Sequence, residues 1–168
     1  MNLSLLKEDD LKLQQVSEEW DFQVDGDPSD LVKEMSRLMF LHGGIGLAAP
    51  QCGVLKRIFI MGNPDQLVAC INPKIIELTE ERGGYLEGCL SFPNLLMRIT
   101  RPVGATVSYQ TITGETVETE LTGIKARVFL HEFDHLIGIT FDTRVGELKL
   151  KMAQEKRRKL NKKTKKFF

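Results

Sequence analysis

Residues 131–135 read His-Glu-Phe-Asp-His. On a helix, two histidines four residues apart leave the same face one turn apart, so both imidazoles can reach one metal ion. Glu132 falls beside that pair rather than on it, where a general base belongs. The chain has three histidines, and two of them sit in this motif. The competing reading is a pair of packed helix histidines next to an exposed Glu132. A His pair needs a third ligand, and Cys89 stands out through its setting, Leu86-Glu87-Gly88-Cys89-Leu90-Ser91. Gly88 lets the backbone approach a ligand closely, and a thiolate suits a soft or borderline ion. Alone, Cys89 reads as a small buried hydrophobe; beside the His pair it reads as a ligand. A third segment, Gly44-Ile45-Gly46-Leu47-Ala48-Ala49-Pro50-Gln51, is a track of low side-chain bulk. It either presents N–H and C=O groups to a peptide as an extra strand or forms a close-packed turn. Gln51 at its end supplies a neutral amide that could meet an oxyanion. A phosphate loop is disfavoured, because no Gly-Lys-Ser/Thr follows.

The elements that must position these groups are partly visible. Asp27-Pro28 reads as an N-cap followed by proline at the first helical position. Leu31, Met35, Leu38 and Met39 follow at helical spacing until Gly43-Gly44. Residues 57–61, 67–78, 103–109 and 116–121 read as strands, the last two joined by a turn at Thr113-Gly114-Glu115. A second helix runs from Thr122 or Gly123 to Gly138, with Ile124, Val128, His131 and His135 on one stripe. A third, roughly 146–162, has a thin apolar stripe of Leu148, Met152 and Leu160 on a basic surface. Strands surround the helices instead of alternating with them. The fold class is therefore α+β, with small antiparallel or mixed sheets around a central helix carrying the His-Glu-x-x-His motif.

The 168 residues suit a single domain, with a core over about 1–144 and a basic helix and tail over about 145–168. The formal charge of zero conceals a segregation. Residues 145–168 hold ten bases and two acids, a net of +8, and the other 144 residues carry 13 bases and 21 acids, a net of −8. Three cysteines (Cys52, Cys70 and Cys89) and an N-terminal stretch with ten acids against three bases argue against a disulfide framework, export or organelle import. No apolar run approaches the ~20 residues that span a bilayer.

In this order, the three segments resemble the signature of peptide deformylase: G-Φ-G-Φ-A-A-x-Q, then E-G-C-Φ-S, then H-E-Φ-D-H, with Φ apolar. Residues 44–51, 87–91 and 131–135 fit all three. The resemblance implies that Cys89, His131 and His135 bind one divalent metal ion. Fe(II) is the family's usual ion, and Zn, Ni or Co can replace it. It implies Glu132 as general base and acid, with the Gln51 amide and Leu90 N–H as the oxyanion hole. Ile45, Gly46 and Gly88 would hold the substrate backbone, and Ile45, Tyr85, Ile124 and Val128 would line the methionine pocket. Glu87 would support the site by pairing with Arg101. The implied substrate is an N-formylmethionyl nascent peptide, in a bacterial cytoplasm or in a host cytoplasm if the gene is a phage's.

Some positions depart from the family pattern. Arg127 stands where an apolar pocket residue is usual, and either points outward or shapes the pocket mouth. Leu96 stands where many members have Arg, and Glu8-Asp9-Asp10 stands where Pro is often found. The basic tail is either a solvated helix or, as in some bacterial deformylases, a docking arm for the ribosome. Two rival functions are a zinc endopeptidase, whose third ligand should lie downstream although no His follows His135, and an RNA-associated protein with a structural metal site.

Overall fold

The computed structural model describes residues 3–164. Seven strands are present among them: β1 (Gly46–Ala48), β2 (Ile58–Asn63), β3 (Gln66–Leu78), β4 (Arg82–Cys89), β5 (Phe92–Pro102), β6 (Gly104–Gln110) and β7 (Thr116–Thr122). The helices are α1 (Ser29–Leu41), α2 (Gly123–Leu136) and α3 (Glu147–Thr164). β1-β2-β3-β6-β7 form one antiparallel sheet in that order, and β4-β5 form a separate hairpin. The α+β expectation holds, and the sheets are antiparallel throughout.

Strand β2 shows how the helices are placed. Successive side chains of a strand face opposite ways. Ile58 and Ile60 join Leu47, Ile71 and the α1 residues Leu31, Met35, Leu38 and Met39. Phe59 and Met61 face the other side, with Val107, Leu121 and the α2 residues Ala126 and Phe129. The sheet is therefore covered on both faces, which explains an unbroken apolar run in β2. Phe59 meets Phe129 edge to face, with ring centroids 5.0 Å apart. That contact fixes the back of α2 on the sheet and leaves its histidine side for the hairpin.

Local expectations hold with shifts of a residue or so. The Ser29 N–H donates to Asp27 Oδ1 at 2.8 Å, so Pro28 occupies the cap and α1 begins one position later than read. The turn between β6 and β7 is closed by Gly114, whose φ of 83° suits glycine. Two features differ more. The hairpin β4–β5 is absent from the strands read in the sequence, because Gly83, Gly84, Gly88 and Pro93 interrupt the pattern that betrays a strand. Its inward residues Leu95, Met97 and Ile99 alternate cleanly with exposed Leu96, Arg98 and Thr100. In α3, Leu148 and Met152 are 74% and 64% exposed, so the expected stripe does not face the core. The inner face is Leu150 and Ala153, packed with Phe92, Leu95, Met97 and Phe141. Arg157 pins the helix to Glu8 of the N-terminal segment, Nη2 to Oε1 being 3.1 Å. Lys165 and Lys166 of the basic tail lie outside the described residues.

Candidate active site

The hairpin and α2 bring the three sequence-predicted ligands together. Cys89 ends β4, while His131 and His135 project from α2 one turn apart. The ligand atoms of all three lie within 4.8 Å of one another, and Cys89 Sγ is 3.3 Å from His135 Nε2. A tetrahedral ion with ordinary bonds of about 2.3 Å to sulfur and 2.0–2.1 Å to nitrogen separates such a pair by about 3.6 Å. The Cys89–His135 spacing thus fits one divalent ion after a shift of a few tenths of an ångström, and His131 offers its donor within 4.8 Å of both. His131 Nδ1 is held by Glu87 Oε2 at 3.0 Å, which leaves Nε2 as its ligating atom.

Glu87 itself is buried at the junction of the two elements. Its Oε1 accepts from Arg101 Nε at 2.8 Å and from Arg127 Nη1, and its Oε2 accepts from Arg101 Nη2 at 3.1 Å. Burial alone would raise this carboxyl, but the hydrogen bonds from His131 and Arg101 outweigh it and hold the group at about 2. Arg101 also reaches α2, donating to Asp134 Oδ2 at 2.7 Å. Asp134 in turn accepts from Arg144 Nε at 3.0 Å. The Glu87–Arg101 pairing expected from the sequence is present.

Glu132 lies beside the ligands. Its Oε2 is buried with no hydrogen-bond partner among the described residues, and burial pushes its carboxyl up to about 7. A lone buried carboxyl in that range is suited to exchanging a proton near neutral pH. Gly46 passes so close that an added Cβ would lie 2.3 Å from Glu132 Oε1, so a side chain at this position would displace the carboxylate. Gln51 is pinned through its carbonyl, which accepts from the Ala48 N–H at 2.9 Å. Its Nε2 is thereby turned toward Cys89 Sγ at 3.3 Å and Ser91 Oγ at 3.2 Å. The amide donor therefore faces the ligand cluster.

A cleft of about 460 Å³ opens onto these groups. Ile45, Gly46, Gln51, Gly88, Cys89, Leu90, Ile124, Val128, His131 and Glu132 line it, with His135 set deeper. Tyr85 lies outside the lining, 58% exposed, with the Arg127 guanidinium 4.6 Å from its ring centroid. Arg127 does not point outward but is buried on Glu87 at the cleft wall. Sequence reasoning gave no role to Ser91, Asp134 or Arg144. The first two lie inside the matched motifs, and Arg144 carries no local signal at all. Cys52 and Cys70 are buried and are not part of the ligand group, and burial pushes both thiols up, Cys52 to about 12.

The chain matches the family model described as polypeptide deformylase over residues 3–151. A peptide deformylase of Thermotoga maritima is 43% identical over 125 residues, which are 74% of this chain and 76% of that relative. Among solved structures, a peptide deformylase from Synechococcus elongatus in complex with actinonin superposes with a TM-score of 0.86 at 33% identity, covering 92% of this chain and 85% of that one. A class I type b peptide deformylase from Acinetobacter baumannii, bound to Met-Ala-Ser, gives a TM-score of 0.80 at 31% identity, over 86% and 99% of the two chains.

Glu87 makes stability depend on acid. Its folded carboxyl titrates at about 2 against an ordinary 4.5, so the stabilisation is complete above about pH 4.5 and is lost as pH falls toward 2. In metal-free protein, Glu87→Gln is expected to lower the unfolding free energy at pH 7 by roughly 3 kcal/mol and to flatten the profile between those pH values. Urea titrations across that range check this, and parallel profiles for the two proteins would contradict it.

Proposed function

The chain belongs to the polypeptide deformylase family, and from that premise we propose which of its residues carry out each part of the reaction. The protein is a metal-dependent hydrolase that removes the N-formyl group from nascent peptides. Cys89, His131 and His135 are assigned as its metal ligands, on the mutual approach of their donor atoms. An ion bound there acidifies a water and polarises the formyl carbonyl. The single observation that carries the assignment of a base is the buried Glu132 carboxyl beside those ligands, whose Oε2 has no hydrogen-bond partner among the described residues.

Glu132 takes the proton from the attacking water and returns it to the amine nitrogen as the C–N bond breaks, releasing formate and a free N-terminus. Gln51 Nε2 and the Leu90 N–H meet the negative charge that develops on the carbonyl oxygen. The substrate backbone adds to β1, which is the outer strand of its sheet. There the Gly62 N–H already donates to Ile45 O at 2.9 Å, so the alternation of an antiparallel ladder turns the N–H and C=O of Gly46 away from β2. Gly88 lines the opposite wall. Ile124 and Val128, next to His131 on α2, are assigned to the methionine side chain, and Ile45 to the rim.

Fe(II) as the native ion follows from the family resemblance. The donor set of one sulfur and two imidazoles accommodates Co, Ni or Zn as well. The endopeptidase alternative loses its support because Cys89 supplies the third donor and the chain has no histidine after His135. The family's action on nascent chains supports the cytoplasm as the proposed location. No helix among the described residues is long and apolar enough to cross a membrane.

The basic outer face of α3, with Lys151, Lys156, Arg158, Lys159 and Lys162, is proposed as a contact for ribosomal RNA. Neutralised phosphates would account for so many bases on one helix. Replacing these five residues by serine should abolish co-sedimentation with ribosomes at low salt and leave formate release from formyl-Met-Ala-Ser unchanged. Co-sedimentation equal to that of the parent would overturn this part.

For the reaction itself, Glu132→Gln is expected to retain one metal ion per chain while kcat/KM for formate release drops by about 10²–10⁴-fold. A variant with full metal and full activity would remove Glu132 from the mechanism.

A further inference from the structure

Arg127 is a buried cation that the reaction does not use. Its Nη1 donates to the Glu87 carboxylate and to Ile99 O at 3.1 Å, and its Nη2 donates to Gly83 O at 2.7 Å. Each of these contacts crosses from α2 to the β4–β5 hairpin, one to β5 and two to β4. The Tyr85 ring, also on β4, packs on the same guanidinium. Arg101 makes the reverse crossing. Rooted in β5, it reaches Asp134 at 2.7 Å and Leu130 O at 3.4 Å on α2. Both guanidiniums converge on Glu87.

The cluster of metal ligands straddles the same boundary, because its sulfur comes from the hairpin and its two imidazoles from the helix. A slide of α2 against the hairpin therefore shifts Cys89 Sγ relative to the nitrogens, and a pivot changes the angles at which the three donors meet an ion. Arg101 grips α2 at Leu130 and Asp134, and Glu87 holds His131 between them, so these ties form one grip on the C-terminal half of the helix and leave a pivot about it. Arg127 lies three residues before Leu130, about 4.5 Å along the helix axis, and adds a second grip. Two grips fix both position and direction.

We propose that Arg127 is a positioning residue for the metal centre, holding α2 in register with the hairpin so that one ion can be shared by Cys89, His131 and His135. The inference rests on the assignment of those three as ligands. The role needs the planar fork of arginine, which serves a carboxylate and two carbonyls at once. A lysine supplies the charge without that geometry.

The test uses full-length protein loaded anaerobically with Co(II). It reads the sulfur-to-cobalt charge-transfer absorption and the rate at which the ion passes to a chelator. Arg127→Met and Arg127→Lys are both expected to weaken the charge-transfer band and to release the ion about tenfold faster or more. Wild-type spectra and release rates in both variants, whatever their melting temperatures, would overturn the proposal. So would wild-type behaviour of Arg127→Lys alone, which would leave charge as the only requirement. If Arg127→Met fails to fold, Arg127→Lys decides the outcome by the same two readings. A wild-type protein with no charge-transfer band would instead overturn the ligand assignment, and this inference with it.

Discussion

The carboxylate of Glu87 is the point on which the rest of the site depends. It is a buried charge, and a buried charge persists only when its partners replace the water it has lost. Here the partners are drawn from both elements that supply ligands: Arg101 from β5, and Arg127 and His131 from α2. Satisfying the charge therefore forces helix and hairpin into one arrangement. That arrangement places the sulfur of Cys89 beside the imidazoles, and it sets the His131 tautomer through Nδ1. Such pairs give little net stability against an apolar replacement, but removing one partner is costly. Here their main effect is on geometry.

Around this junction the fold supplies a rigid back and an open front. The sheet grips α2 through Phe129 on Phe59, and α1 covers the far face through Met35 and Met39. The hairpin is supported from behind by Phe141, Leu150 and Ala153. Between hairpin and β1 lies the cleft. Its floor holds Glu132, admitted only because Gly46 has no side chain to collide with it. The Gln51 amide is held by the backbone of the strand it follows. Donors that are fixed before substrate arrives need no reorganisation when charge develops.

Much of this was legible in the sequence, and the pattern of what was not is physical. His131 and His135 announce a shared face by spacing alone, and the alternation of β6 and β7 with Gly114 between them reads directly as a hairpin. The β4–β5 hairpin escaped because glycines and a proline, which the site needs for close approach, are the residues that erase a strand signal. The inner face of α3 escaped for another reason. Leu148, Leu150 and Met152 have similar hydropathy, and only the docking of Leu150 against β5 decides which of them is buried. Long-range pairings such as Arg127 with Gly83 and Glu87, or Arg144 with Asp134, have no local signature. The neutral total charge was the least informative number, since α3 collects the bases and the body keeps the acids.

The central claim is that one sulfur and two imidazoles, brought together by the Glu87 junction, hold a single catalytic ion. X-ray absorption at the metal edge of protein purified without oxygen tests this most directly. The expected result is one ion per chain with a single sulfur at about 2.3 Å and two imidazole nitrogens at about 2.0–2.1 Å. An edge spectrum with no sulfur scatterer, or with two, would contradict it.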